Sequence, residues 1–179
     1  MAGLSLAYHL LFSPLQDKSI LIIDLEEKRN NDRTWCFWDT TPTPYHSIVH
    51  KRWSHFTIAG DEYSERIALD PYDYRMIRGE DFYRFVYEAL DRAPNVRRVQ
   101  ARVEELREVG DRVEVSTSAG TFTGRWVFDS LFFPRDFRVD EEHYHFLKQH
   151  FVGWFVRTKR PVFDPEAVNW FDFRVPQEG

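Results

Sequence analysis

The run Ile20-Leu21-Ile22-Ile23-Asp24, entered from Ser19, constrains this chain more than any other stretch. Its aliphatic residues follow one another without a polar interruption, so neither side of the segment is prepared for water. Ser19–Asp24 therefore reads as a strand covered on both faces, the pattern of a parallel sheet flanked by helices. Upstream, residues 1–12 place Leu4, Ala7, Tyr8 and Leu11 on one face of a short helix, and Pro14 ends it.

A helix followed by a buried strand is the second half of a βαβ unit, whose first strand is expected before Met1. In that arrangement Gly3 is the last glycine of a Gly-x-Gly-x-x-Gly turn, the one that permits close helix–strand packing. Asp24 then falls about 20 residues further on, at the strand end where a dinucleotide site places the acid that holds a ribose hydroxyl.

Composition narrows the classes. At 179 residues the chain is one domain, or two small ones sharing a sheet, and 42% hydrophobic content suffices for a core. Aromatic residues reach 17%, which suits a wide apolar cavity, a partner surface or an aromatic-rich core. The net charge of −5 argues against nucleic acid, since only Arg97-Arg98 and Arg157-Thr158-Lys159-Arg160 are locally basic. A single cysteine excludes a disulfide framework and a thiolate zinc site, and points to a reducing compartment. No window has the length of a spanning helix, and Ala2–Phe12 lacks the basic leader and cleavage site of a secretory signal. A soluble or peripherally attached protein is expected.

Further along, Ser54–Ile58 and Tyr63–Leu69 flank Ala59-Gly60-Asp61-Glu62 as a hairpin, and Tyr72, Tyr74 and Met76 continue a period-two face. Gly79–Ala93 is an amphipathic helix with Phe82, Phe85, Val86, Ala89 and Leu90 on its apolar stripe and Glu80 and Asp81 in its first turn. Arg102–Glu108, Arg112–Thr117 and Thr121–Asp129 form a meander, separated at Gly110-Asp111 and Ser118-Ala119-Gly120. Its last part, Trp126-Val127-Phe128-Asp129, is expected to re-enter the parallel sheet. Phe151–Thr158 and Val168–Val175 complete the set of expected strands. The densest block is Asn31–Asp39, where Trp35, Cys36, Phe37 and Trp38 stand between charged residues. It is read as a loop leaving the carboxyl end of a sheet strand, where open α/β sheets bind ligands.

The order of these blocks resembles the flavin-dependent bacterial lycopene β-cyclases, of which this chain matches the amino-terminal half. The resemblance rests on Ala2-Gly3-Leu4-Ser5-Leu6-Ala7, Ile20–Asp24, Asn31–Trp38, Trp126–Ser130, Phe151–Trp154, Phe163–Glu166 and Phe171–Gln177. It implies an α/β (α+β) fold of the flavoprotein monooxygenase kind, with a partial Rossmann-type FAD-binding domain and an incomplete antiparallel substrate-lobe sheet. Residues 1–50 and 79–137 would form the FAD domain and meander; 51–78 and 138–179 would form the substrate lobe.

The resemblance implies closure of β-ionone rings at the ends of linear carotenoids such as lycopene, with no net redox change. Reduced FAD would be the cofactor, NAD(P)H its reductant, and the setting the cytoplasmic side of a membrane, held peripherally. The chemistry is protonation of an alkene, ring closure on the carbocation and loss of a ring proton. Gly3, Asp24 (or Glu26, if the strand end is shifted), Arg33, Thr34, Trp35 and Asp129 match cofactor-lining positions. Asp129 is followed by Ser130 where related monooxygenases carry glycine. The protonating carboxylate is expected beyond Gly179 and the two earlier glycines before Met1, so the chain reads as a fragment. An FAD/NAD(P)H-dependent monooxygenase-like oxidoreductase and a non-catalytic fragment are the alternatives.

Blander roles stand beside these. Arg33 can pair with Asp32 or Asp39, Trp35 and Trp38 can be core, and Asp172 can face a pocket or pair with Arg174. Cys36 is read as a small buried side chain. His143, His145 and His150 lack the partners that would make them a metal site.

Overall fold

The computed structural model describes residues 2–131, 140, 142–145, 147 and 150–175. They divide into two compact units, one of Met1–Val127 with Asp164–Gly179 and one of Phe128–Phe163. The first unit is mixed α+β with strands in the majority. In chain order it carries helix α1 (Ala2–Leu10), strands β1 (Ile20–Asp24) and β2 (Thr34–Asp39), a 3-10 turn at His46–Ile48, and strands β3 (Lys51–Trp53), β4 (His55–Gly60), β5 (Tyr63–Ala68) and β6 (Asp73–Arg78). Helix α2 (Gly79–Asp91) follows, then β7 (Val96–Gln100), β8 (Val103–Val109), β9 (Arg112–Thr117), β10 (Gly120–Gly124) and β11 (Ala167–Asp172).

The apolar run forms β1, and its partner is β7, parallel and in register from Ile20↔Val96 to Asp24↔Gln100. A parallel pair needs a crossover connection, and α2 lies within it. Asn95 ties the two strand entries together, its amide nitrogen donating to the carbonyls of Gln16 (3.0 Å) and Lys18 (2.6 Å). Leu4 and Ala7 of α1 join Phe82, Tyr83, Val86 and Leu90 of α2 and Ile77 of β6 in the buried core. Val86 is wholly enclosed, so the 3.6-residue stripe read from the sequence is the face that packs.

Two more sheets follow from the alternating segments: β2-β6-β3 is antiparallel throughout, and β11-β4-β5 is mixed, with β11 running parallel to β4. The meander β8-β9-β10 makes a further antiparallel sheet. Gly110 and Gly120 take positive φ at its two turns, where other residues are strained.

Five expectations are corrected. β1 is not covered on both faces: none of its residues is fully buried, and Leu21 is exposed. Asn31–Asp39 is not a ligand loop throughout, because Thr34–Asp39 is β2, paired with β6 from Thr34↔Arg78 to Asp39↔Asp73. Its side chains alternate, so Trp35, Phe37 and Asp39 are half-buried while Cys36 and Trp38 are exposed. Cys36 is thus an exposed thiol rather than a buried one.

The third meander strand stops at Gly124, and Trp126–Asp129 joins no sheet. The parallel position beside β1 is taken by Val96–Gln100, a strand that sequence reading passed over because two arginines interrupt its valines. Phe151–Thr158 is not a strand either: the second unit offers it no pairing edge among the described residues, and Phe155 stands 96% exposed. That unit holds a turn in which Asp140 accepts the backbone N–H groups of His143 and Tyr144.

Candidate functional site

An open groove of about 380 Å³ lies along the carboxyl ends of β1 and β7. Leu4 of α1, Tyr87 of α2, Ile22 and Asp24 of β1, and Arg98, Val99 and Gln100 of β7 line it, with Glu26 and Glu27 from the turn after β1. Its size is within the range of small-molecule sites. Asp24 spends one carboxylate oxygen on the backbone N–H of Glu26 (3.1 Å). Its other oxygen has no partner among the described residues. Gln100 closes the far side by donating from its side-chain amide to the carbonyl of Leu25 (3.3 Å).

Among the described residues the groove has one lining cation, and it is held in place. Arg98 lies over the ring of Tyr87, 4.1 Å from its centroid. One guanidinium nitrogen donates to Asp91 (2.8 Å), and the other stands 3.9 Å from Glu27. With Asp24, Glu26 and Glu27 in the wall, carboxylates outnumber that single arginine.

A second groove, about 230 Å³, is lined by Trp35, Phe37 and Asp39 of β2, Thr43, Tyr45, Ile77 and Phe82. Trp35 meets Phe82 and Tyr83 edge-on, at 5.3 and 5.8 Å between ring centroids. Next to Asp39 in the sheet, Arg75 is only 3% exposed. It donates to Asp39 (3.0 Å), Asp73 (3.2 Å) and the carbonyl of Thr41 (2.9 Å), while its Nε finds no partner. Asp39 is held below the ordinary carboxylate range, first by the backbone N–H of Thr41 and then, against the cost of burial, by Arg75.

The two grooves share no lining residue, so the positions singled out from the sequence do not converge. Asp24 and Glu26 stand together in the larger groove. Gly3 is next to Leu4 in its wall, and a Cβ on Gly3 would meet nothing within 4 Å. Trp35 lines the smaller groove; Arg33 and Thr34 line neither and are exposed.

Arg33 approaches Asp32 at 3.9 Å, while Asp39 pairs with Arg75 instead. What Arg33 contributes is backbone: its carbonyl accepts the N–H of Gly79 at 2.7 Å, and the side-chain oxygen of Asn31 accepts the same N–H at 2.9 Å. Asp32 accepts the hydroxyl of Tyr83 (3.0 Å), and burial together with that carboxylate pushes the phenol up to about 12.

Asp129 belongs to the second unit, where its carboxylate accepts the N–H of Leu131 (2.7 Å). Asp172 pairs with Arg174 through both carboxylate oxygens, at 2.8 and 2.6 Å. His143 pairs with Asp140 (2.8 Å), and among the described residues no cluster of metal-ligating side chains forms.

Sequence reasoning missed Tyr87, Arg98 and Gln100. The signal available was Arg97-Arg98, a basic pair inside a segment otherwise fit to be a strand. Its meaning depends on pairing with β1, which only the fold supplies.

Comparison with known protein families matches residues 1–179 to the family described as lycopene cyclase protein. No curated protein matches the chain. Among solved structures, p-nitrophenol 4-monooxygenase PnpA from Pseudomonas putida DLL-E4 is similar at 19% identity and a TM-score of 0.48, over 68% of this chain and 35% of that one. The halogenase PltM, solved with ethyl mercury and mercury, is similar at 15% identity and a TM-score of 0.47, over 72% of this chain and 31% of that one. The chain spans about a third of the length of each.

Proposed function

Because the chain belongs to the lycopene cyclase protein family, we propose that it is part of an FAD-dependent lycopene β-cyclase. The reaction is the closure of β-ionone rings at the ends of lycopene, an isomerisation that balances without an electron donor or acceptor. A proton is added to a terminal alkene, the chain closes on the cation, and a ring proton is lost. The observation that carries this reading is the family match along the whole chain. The groove at the ends of β1 and β7 supports its cofactor half.

The residues there fit the adenosine end of FAD. Asp24 has a free carboxylate oxygen with which to accept a ribose hydroxyl, at the position where parallel sheets place that acid. The first turn of α1 carries backbone N–H groups that its own helix cannot satisfy, as a pyrophosphate requires. The open space around Gly3 lets backbone and phosphate approach closely. Reduced FAD, when bound, supplies negative charge beside the developing carbocation.

The chain's own contribution is to grip that cofactor and to offer apolar, aromatic wall. Trp35, Phe37, Tyr45 and Phe82 enclose the smaller groove, where ring faces are compatible with a cation. NAD(P)H is proposed as the reductant that charges the flavin, and a peripheral contact with the cytoplasmic face of a membrane as the route to so apolar a substrate. Among the described residues no helix is long and apolar enough to cross a membrane.

Expression of the gene in lycopene-accumulating cells tests the reading: the cells are expected to turn from red to orange-yellow. Unchanged pigment with sustained NAD(P)H oxidation would point to a monooxygenase-like oxidoreductase instead.

A further inference from the structure

We infer that Arg98, lying over Tyr87, is the platform on which the adenine of the cofactor stacks, and that the surrounding carboxylates admit only adenosine with an unphosphorylated 2′-hydroxyl. This rests on the FAD reading above and adds to it which residues choose the nucleotide.

A guanidinium is planar and stacks on flat π systems through either face. The guanidinium carbon of Arg98 lies over the Tyr87 ring, 4.1 Å from its centroid. Arg98 also lines the groove, within reach of a ligand there. A long arginine side chain ordinarily loses much rotamer freedom when it is recruited by a ligand. Here Asp91 at 2.8 Å and Glu27 at 3.9 Å already hold the guanidinium edge, so the plane is set before anything binds. Tyr83 and Tyr87 are themselves stacked, 6.5 Å apart at 24°, so the platform is backed by a second ring.

The register puts this platform beside the ribose acid. Ile22 pairs with Arg98 and Asp24 with Gln100, so Arg98 lies one pleat below Asp24 on the neighbouring strand. A base stacked on Arg98 therefore has its sugar at Asp24.

Charge decides the rest. Asp24, Glu26 and Glu27 face the groove, and the one arginine among them is already paired. Carboxylates accept hydrogen bonds from a free diol but repel a phosphate at the same place. The groove thus takes the ADP half of FAD and rejects the 2′-phosphate of an NADP-type nucleotide, which has to dock elsewhere.

Titration of the purified chain with ADP-ribose, its 2′-phosphate and the etheno-adenine analogue of ADP-ribose tests this, with FAD run alongside. ADP-ribose is expected to bind in the millimolar range or tighter, the 2′-phosphate to bind at least about tenfold more weakly, and etheno-adenine fluorescence to be quenched on binding. Arg98→Leu and Arg98→Lys should each weaken ADP-ribose at least about tenfold and abolish the quench, because lysine keeps the charge but not the plane. Unaltered melting curves show that the variants fold.

If ADP-ribose and FAD bind but the Arg98 variants bind equally well and still quench, the platform is wrong and the FAD reading survives. Equal affinity for the 2′-phosphate overturns the charge filter. If neither ADP-ribose nor FAD binds the parent chain, both the platform and the FAD reading fall.

Discussion

Two residues show how much a single position decides in this molecule. Gly79 opens α2 against the segment just ahead of β2, and a Cβ there would lie 2.9 Å from the carbonyl oxygen of Arg33 and 3.3 Å from its nitrogen. Both are backbone atoms, unable to swing aside. Gly79→Ala is therefore expected to destabilise the chain by about 1–3 kcal/mol, read as a lower urea midpoint. Gly3→Ala, with open space around it, should leave that midpoint unchanged or slightly raised. Arg75 is the second case. Its charge is buried between Asp39 and Asp73, so Arg75→Met removes the cation while leaving two carboxylates behind. A loss of about 3–5 kcal/mol is expected in the same measurement. Sequence reading paired Asp39 with Arg33 as an alternative, since the two are neighbours in the chain. The partner that wins lies on β6, across the sheet, and no local spacing announces it.

At the scale of the element, α2 was fully legible, because its apolar stripe, acidic first turn and terminating Pro94 all agree. The hairpin β4–β5 was legible for the same reason, with alternation and a turn pointing one way. β7 was not, because a strand in which Arg98 and Val99 both line a groove while Arg97 between Val96 and Arg98 is exposed has no clean period. Trp126–Asp129 and Phe151–Thr158 failed in the opposite sense: apolar runs raise the expectation of a strand, but a strand exists only where an edge receives it. The site followed the same rule. Asp24 and Glu26 were legible from a strand end, whereas Tyr87 and Arg98 come together only through the crossover. The first turn of α2 also sets a pH response. Asp81 accepts from Arg78 and Arg84, both at 2.6 Å, and the Arg78 hydrogen bond, working against burial, holds its carboxyl below the ordinary range. A depressed carboxylate stabilises the fold fully above its unfolded value of about 4 and loses that contribution as pH falls through the lower folded value. Asp81→Asn should lower the melting temperature at neutral pH and flatten its decline as the pH falls below about 4. An unchanged slope would show that Asp81 titrates normally.

At the scale of the whole molecule, the family match covers both units, while the groove proposed for the cofactor is lined by residues of the first alone. Adenosine recognition should therefore be measurable separately from pigment conversion. The parallel pair β1–β7 has a further consequence for handling the protein. Among the described residues β1 is hydrogen-bonded to β7 only, and its other flank is the one that a preceding strand of the βαβ unit would take; where no strand pairs there, amides and carbonyls between aliphatic side chains stay unanswered. Such a flank is a template for sticking to itself when the protein is concentrated. Replacing Leu21, which is partly exposed, with lysine should raise the concentration at which light scattering sets in, and no change would place the stickiness elsewhere.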